Sequence, residues 1–158
     1  MNAAIAEQRK CTSYPKIGAV LIKDERILAT GFRNEVQGKH AERVAIEKVD
    51  ASLLKGSQIF TTLEPCVEIH NGQSEKSCAD LIIENGISEV TIGVLDPNGK
   101  IYCQGYSKLA ESKLIVNFFT PQLREEVEGL TFKYGDCSIG YGPTGKRRVA
   151  VFGSGKNF

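Results

Sequence analysis

The chain has 158 residues, 41% hydrophobic and 25% charged, with twenty lysines and arginines against nineteen aspartates and glutamates. That size and balance describe one globular domain with its own core, and they exclude a disordered acidic chain, a uniformly cationic nucleic-acid coat and a disulfide-stapled mini-domain. No apolar run approaches the ~18 residues of a membrane span, MNAAIAEQRK lacks the apolar centre of a secretion signal, and five cysteines is an odd number, so a reducing, cytoplasmic setting without membrane contact is expected.

Strand-like and helix-like segments alternate along the chain. Ile17–Lys23 and Arg26–Phe32 are β-rich runs separated only by Asp24-Glu25, the pattern of a hairpin. His40–Val49 places Ala41, Val44, Ala45 and Val49 at helical spacing. Gln58–Leu63 reads as a third strand. Ser77–Asn85 reads as a helix, with Ser77 and Asp80 in capping-box positions and Gly86 as its stop. Glu89–Leu95 is a fourth strand, closed by the turn residues Asp96-Pro97-Asn98-Gly99. A short helix around Tyr106–Ser112 leads to a fifth strand at Leu114–Phe119, and Thr120-Pro121 opens a last helix to about Gly129. A hairpin followed by βα units predicts a three-layer α/β/α sandwich around a five-stranded mixed sheet, most of it parallel. The compact domain is expected over 1–135. Residues 136–158 form a glycine-rich basic appendage of net charge +3, with a strand at Arg148–Phe152; its Gly140–Lys146 stretch matches G-x₄-G-K but lacks the Ser/Thr that would hold magnesium.

Two short stretches carry chemistry. The first is His40-Ala41-Glu42; the second is Pro65-Cys66, followed twelve residues later by Cys78. One imidazole and two thiolates form a donor set that suits zinc, and three protein ligands leave the fourth tetrahedral position to water. Glu42 is better placed to carry protons beside such a site than to close it. Positions i and i+2 of a helix lie about 200° apart, so His40 and Glu42 can meet one site only if the helix aims its N-terminus there. Cys78, directly after the cap candidate Ser77, has the same placement, where helix partial charge favours a thiolate.

H-x-E with a downstream P-C and C resembles the cytidine/deoxycytidylate deaminase superfamily. Thr62-Leu63-Glu64-Pro65-Cys66 is similar to its branch with parallel last strands. Lys16-Ile17-Gly18-Ala19-Val20, Cys78-Ala79-Asp80, and Leu95-Asp96-Pro97-Asn98 with Gly105 and Leu109 further resemble the riboflavin-biosynthesis pyrimidine deaminase domain. The resemblance spans roughly residues 1–130. It implies a cytidine deaminase-like fold, zinc as cofactor, a homo-oligomer, and a small pyrimidine nucleotide or nucleoside as substrate, whose exocyclic amine becomes a carbonyl with release of ammonia. It also implies that Asn34 contacts sugar or base. His70 is read as either a substrate contact or an ordinary loop histidine, and Tyr14 as either a base-stacking ring or an aromatic packed on the sheet. Cytidine or deoxycytidylate deamination is the alternative, as is editing of bases within RNA or DNA, which the weak net charge disfavours. A non-catalytic zinc-stabilised binding module is a third reading, which the presence of Glu42 disfavours. Glu64 is read as a buried hydrogen-bonding residue, and Cys11, Cys103 and Cys137 as small apolar groups.

Overall fold

The computed structural model describes residues 1–67, 76–98 and 102–132. The elements run α1 (Asn2–Arg9), β1 (Gly18–Lys23), β2 (Arg26–Phe32), α2 (Ala41–Glu47), α3 (Ala51–Leu54), β3 (Gln58–Leu63), α4 (Cys78–Glu84), β4 (Glu89–Val94), α5 (Gln104–Glu111), β5 (Ile115–Phe118) and α6 (Pro121–Thr131). The expected appendage from 136 onward, its strand at Arg148–Phe152, Cys137 and His70 all lie outside the described residues.

The five strands form one sheet in the order β2-β1-β3-β4-β5. The β1–β2 turn holds Asp24 and Glu25 at φ 48° and 60°, the two left-handed central positions of a turn whose twist matches the strands it joins. β1 is antiparallel to both β2 and β3, whereas β3, β4 and β5 run parallel. Parallel pairing is therefore confined to half of the sheet, where α4 and α5 serve as crossovers. The parallel β4–β5 pair is the one the Thr62–Cys66 motif implied.

Helices cover both faces. Gly18 and Ala19 point to opposite sides of β1, and two close approaches show what lies on each side. A Cβ at Gly18 would fall 2.1 Å from the Ala4 carbonyl oxygen and 2.4 Å from Gln8 N, so α1 rests directly on the strand backbone. Gly31 is paired with Ala19, and a Cβ there would fall 2.5 Å from the Ala41 carbonyl oxygen, so α2 is equally close on the opposite face. α6 packs beside α1, while α4 and α5 continue the α2 layer. Between them lies one apolar core that includes Leu21, Ile59, Ile82, Val90, Ile92 and Leu109.

This arrangement fixes where chemistry can occur. β3 ends in Leu63 and leads straight to Cys66, β2 ends in Phe32 and leads to His40, and α4 starts at Cys78. All three leave the same end of the sheet. Among the described residues no helix is long and apolar enough to cross a membrane.

Candidate metal centre

His40 is the N-cap of α2, extended at φ −75° and ψ 155°, and Glu42 occupies the first turn. α2 aims its N-terminus at the site, the geometry demanded by the i, i+2 spacing. Cys78 opens α4 behind the N-cap Ser77, whose hydroxyl accepts from Asp80 N at 3.2 Å. The cap is not a reciprocal box. The Ser77 hydroxyl also donates to Asp80 Oδ2 at 2.6 Å, and Asp80 Oδ1 faces Lys108 Nζ of α5 at 2.6 Å. From the other side, Arg43 of α2 donates to the carbonyl oxygen of Lys76. The start of α4 is thus held by both neighbouring helices.

These anchors bring three donors together. Cys66 Sγ lies 3.4 Å and Cys78 Sγ 3.5 Å from His40 Nδ1, and all donor atoms of the set fall within 4.8 Å of one another. Cys78 N–H donates to Cys66 Sγ at 3.4 Å, and Ala79 N–H to the Cys66 carbonyl at 3.0 Å. His40 is exposed, Cys66 half-buried and Cys78 buried.

The electrostatics fit a dication. Hydrogen bonds from Cys78 and His40 pull the Cys66 thiol down to about 4. The neighbouring Cys66 and its own burial push the Cys78 thiol up. His40 is raised, chiefly by its bond to Cys66. Two sulfurs and an imidazole in contact therefore share protons, and a metal ion can take the place of those protons. One nitrogen and two sulfurs at this spacing match the soft-to-borderline set that zinc favours, with a side left open.

Glu42 is 3% exposed, and burial pushes its carboxyl up to about 7. Thr61 Oγ1 of β3 sits 3.2 Å from Glu42 Oε1 and 3.0 Å from the Leu63 carbonyl. The single hydroxyl proton can turn to Glu42 when the carboxylate is charged. It can turn to Leu63 when Glu42 itself holds a proton and donates. Nothing in the sequence marked Thr61 for this part.

Glu64 is also buried, but it faces the loop beyond β4 rather than the metal donors. Its Oε2 accepts from Asp96 N at 3.0 Å and Cys103 N at 3.2 Å, and its Oε1 from Tyr106 N at 3.0 Å. One carboxylate thereby ties the end of β3 to the start of α5. Glu64→Gln exchanges an accepting oxygen for an NH₂ that opposes backbone N–H groups, so a loss of about 1–3 kcal/mol is expected in urea unfolding. Unchanged stability would show that the carboxylate is dispensable to this loop.

The remaining candidates make other contacts. Asn34 is exposed, in the left-handed region at φ 64°, and its N–H closes the loop onto Lys39 O at 3.0 Å. Tyr14 is 48% exposed rather than packed into the sheet, and its carbonyl accepts from Arg33 Nη1 at 3.4 Å. Cys11 is buried with its thiol directed at the Ile17 carbonyl, 3.3 Å away. Cys103 is the left-handed N-cap of α5. An open groove of about 500 Å³ begins at Val67, beside Cys66, and continues along Gln104 and Ser107.

Comparison with known proteins agrees with this geometry. Residues 1–94 match the model for the cytidine and deoxycytidylate deaminase zinc-binding region. The riboflavin biosynthesis protein RibD of Actinobacillus pleuropneumoniae is 36% identical over 116 residues, covering 73% of this chain and 29% of that protein. The diaminohydroxyphosphoribosylamino-pyrimidine deaminase of Schizosaccharomyces pombe is 33% identical over 141 residues, 82% of this chain and 34% of its own length. A crystal structure of the Thermotoga maritima diaminohydroxyphosphoribosylaminopyrimidine deaminase/5-amino-6-(5-phosphoribosylamino)uracil reductase superposes with a TM-score of 0.72 at 38% identity, over 83% of this chain and 38% of that one. The chain thus spans about a third of the length of the curated relatives it matches.

Proposed function

Because the chain belongs to the cytidine and deoxycytidylate deaminase family, we propose that it is a zinc-dependent hydrolase that converts the exocyclic amine of a pyrimidine-type nucleotide to a carbonyl and releases ammonia. The substrate we assign is the aminopyrimidine phosphate of riboflavin biosynthesis, which the activities named for the relatives favour over cytidine or deoxycytidylate. The observation that carries the reading is the His40, Cys66 and Cys78 cluster with a buried carboxyl, Glu42, two residues from its histidine.

His40, Cys66 and Cys78 would hold the metal. When bound, zinc supplies Lewis acidity that lowers the pKa of a coordinated water towards about 7. Glu42 takes a proton from the attacking water and gives it to the ring nitrogen beside the amine-bearing carbon, which makes that carbon electrophilic. The same carboxyl then takes the second proton from the added hydroxyl and passes it to the amine, so that the carbonyl forms as the C–N bond breaks and ammonia leaves. A group held near pH 7 by burial suits both directions of transfer, and the Thr61 hydroxyl adjusts to each. Burial of Cys78 on one side and exposure of His40 on the other leave the substrate to approach past the imidazole. Homo-oligomer formation belongs to the same reading.

Purified zinc-loaded protein is tested for ammonia release with the riboflavin-pathway aminopyrimidine phosphate, cytidine, cytidylate, deoxycytidylate, adenosine and guanine. Turnover is expected to be fastest with the first. Faster turnover of cytidylate or deoxycytidylate would move the assignment to the alternative, and silence with all six would remove the deaminase reading.

A further inference from the structure

One helix touches both sulfur-bearing segments of the metal centre and supplies no donor to it. α5 carries Gly105, Lys108 and Leu109 at i, i+3 and i+4, the spacing of a single helix face. Leu109 is fully buried. In the first turn, a Cβ on Gly105 would fall 2.1 Å from the Pro65 carbonyl oxygen and 3.0 Å from Glu64 Cγ, so the helix backbone rests against the residue that precedes Cys66. Glu64 fastens the same contact by accepting from Cys103 N and Tyr106 N. One turn further along, Lys108 Nζ donates to Asp80 Oδ1 of α4 at 2.6 Å.

Asp80 hands that contact on to Cys78. Its Oδ2 accepts from the Ser77 hydroxyl at 2.6 Å, and its N–H donates to the same oxygen at 3.2 Å. The ring closed by Ser77 and Asp80 encloses only Cys78 and Ala79, and both of their N–H groups go to Cys66, one to Sγ at 3.4 Å and one to the carbonyl oxygen at 3.0 Å. The contacts therefore form a closed circuit: Gly105 on Pro65, Cys66 on Cys78 and Ala79, Asp80 on Lys108. One ion can meet both sulfurs only if the two segments keep their register, and two thiolates side by side repel each other. The Ser77 cap alone leaves one oxygen of Asp80 free to turn; an ammonium on that oxygen fixes the carboxylate, and with it the first turn of α4.

We propose that α5 sets the spacing of the two sulfurs, and that Lys108 is the positioning residue through which it seats Cys78 for the metal. This rests on the reading of His40, Cys66 and Cys78 as the metal donors, and not on the identity of the substrate. Lys108 touches neither the ion nor the substrate in this role; it acts through Asp80 and Ser77.

The test measures zinc affinity of the full chain by chelator competition, together with the thiolate-to-cobalt charge-transfer absorption of the cobalt-loaded protein, whose intensity reports how many sulfurs are bound. Lys108→Gln and Asp80→Asn are each expected to weaken zinc binding about tenfold or more and to lower that absorption. Lys108→Arg, which keeps a cation on a long stem, is expected to restore both. The urea midpoint of Lys108→Gln should stay close to wild type, because a solvent-accessible ion pair contributes little to the fold as a whole. The double variant should lose no more than the worse single variant, since both remove one contact. Lys108→Gln carries the test if Asp80→Asn fails to fold, because it leaves the Ser77 cap in place. Wild-type zinc affinity and an unchanged cobalt spectrum in Lys108→Gln overturn the positioning role and leave the metal centre standing. A loss that persists in full in the Cys78→Ala background also overturns it, since Lys108 would then act by a route other than Cys78. A wild-type chain that retains no zinc rejects the metal centre itself, and the positioning role falls with it.

Discussion

Glu42→Ala is expected to slow ammonia release at least about 10²–10⁴-fold, while the protein retains one zinc per chain. The argument is geometric. His40, Cys66 and Cys78 place their donor atoms within 4.8 Å of one another without Glu42, so removing the carboxyl leaves the donor set whole. What disappears is the only titrating group that Glu42 brings to a buried position beside it, one poised near pH 7 by burial. Because that carboxyl is asked to move more than one proton per turnover, the loss should lie at the upper end of the range. Glu42→Gln separates chemistry from packing. It keeps the side-chain volume and a carbonyl oxygen for the Thr61 hydroxyl, yet it cannot carry a proton. Both variants should be equally slow. Metal analysis decides the assignment: zinc lost from Glu42→Ala would make Glu42 a ligand, and the proton-carrier role would pass elsewhere.

The second large effect concerns metal retention. Cys78→Ala is expected to weaken zinc binding by more than about 100-fold in a chelator competition, since loss of supporting contacts alone typically costs 10–100-fold and here a donor is removed. The fold should persist. The cap on α4 comes from Ser77, and the anchors come from Arg43 and Lys108, none of which uses the sulfur. Cys78→Ser tests the same point with a harder oxygen donor of similar size and should rank between wild type and alanine. If circular dichroism is unchanged and zinc affinity is undiminished in Cys78→Ala, the metal is held elsewhere and the three-donor site is wrong.

The elements that the sequence revealed share a property: their signal is local. The β1–β2 hairpin follows from two β-rich runs two residues apart, α4 from a serine cap and a glycine stop, and the end-on approach of α2 from the angular arithmetic of His40 and Glu42. Missed elements depend on partners. MNAAIAEQRK gave no helical reading, because α1 has a short apolar face and is secured by the contact of Ala4 and Gln8 with the bare backbone at Gly18. α3 is a single turn capped by Asp50, too short for any periodicity. The parallel share of the sheet was overstated, because repeated βα units begin only at β3 and the hairpin reverses everything before it.

The site divides along the same line. Its donor set could be read from residue type and spacing. Glu64 could be read as a buried hydrogen-bonding group but not for what it binds, since Asp96, Cys103 and Tyr106 come to it only through the β4–α5 connection. The Thr61 hydroxyl contributes through its place on β3 opposite α2, a neighbourhood that spacing along the chain does not reveal.

The graded exposure of the three donors has a kinetic meaning. With Cys78 buried and His40 exposed, the deaminase reading brings the substrate in on the imidazole side, where an occupant would shield a bound ion from a competing chelator and slow its loss.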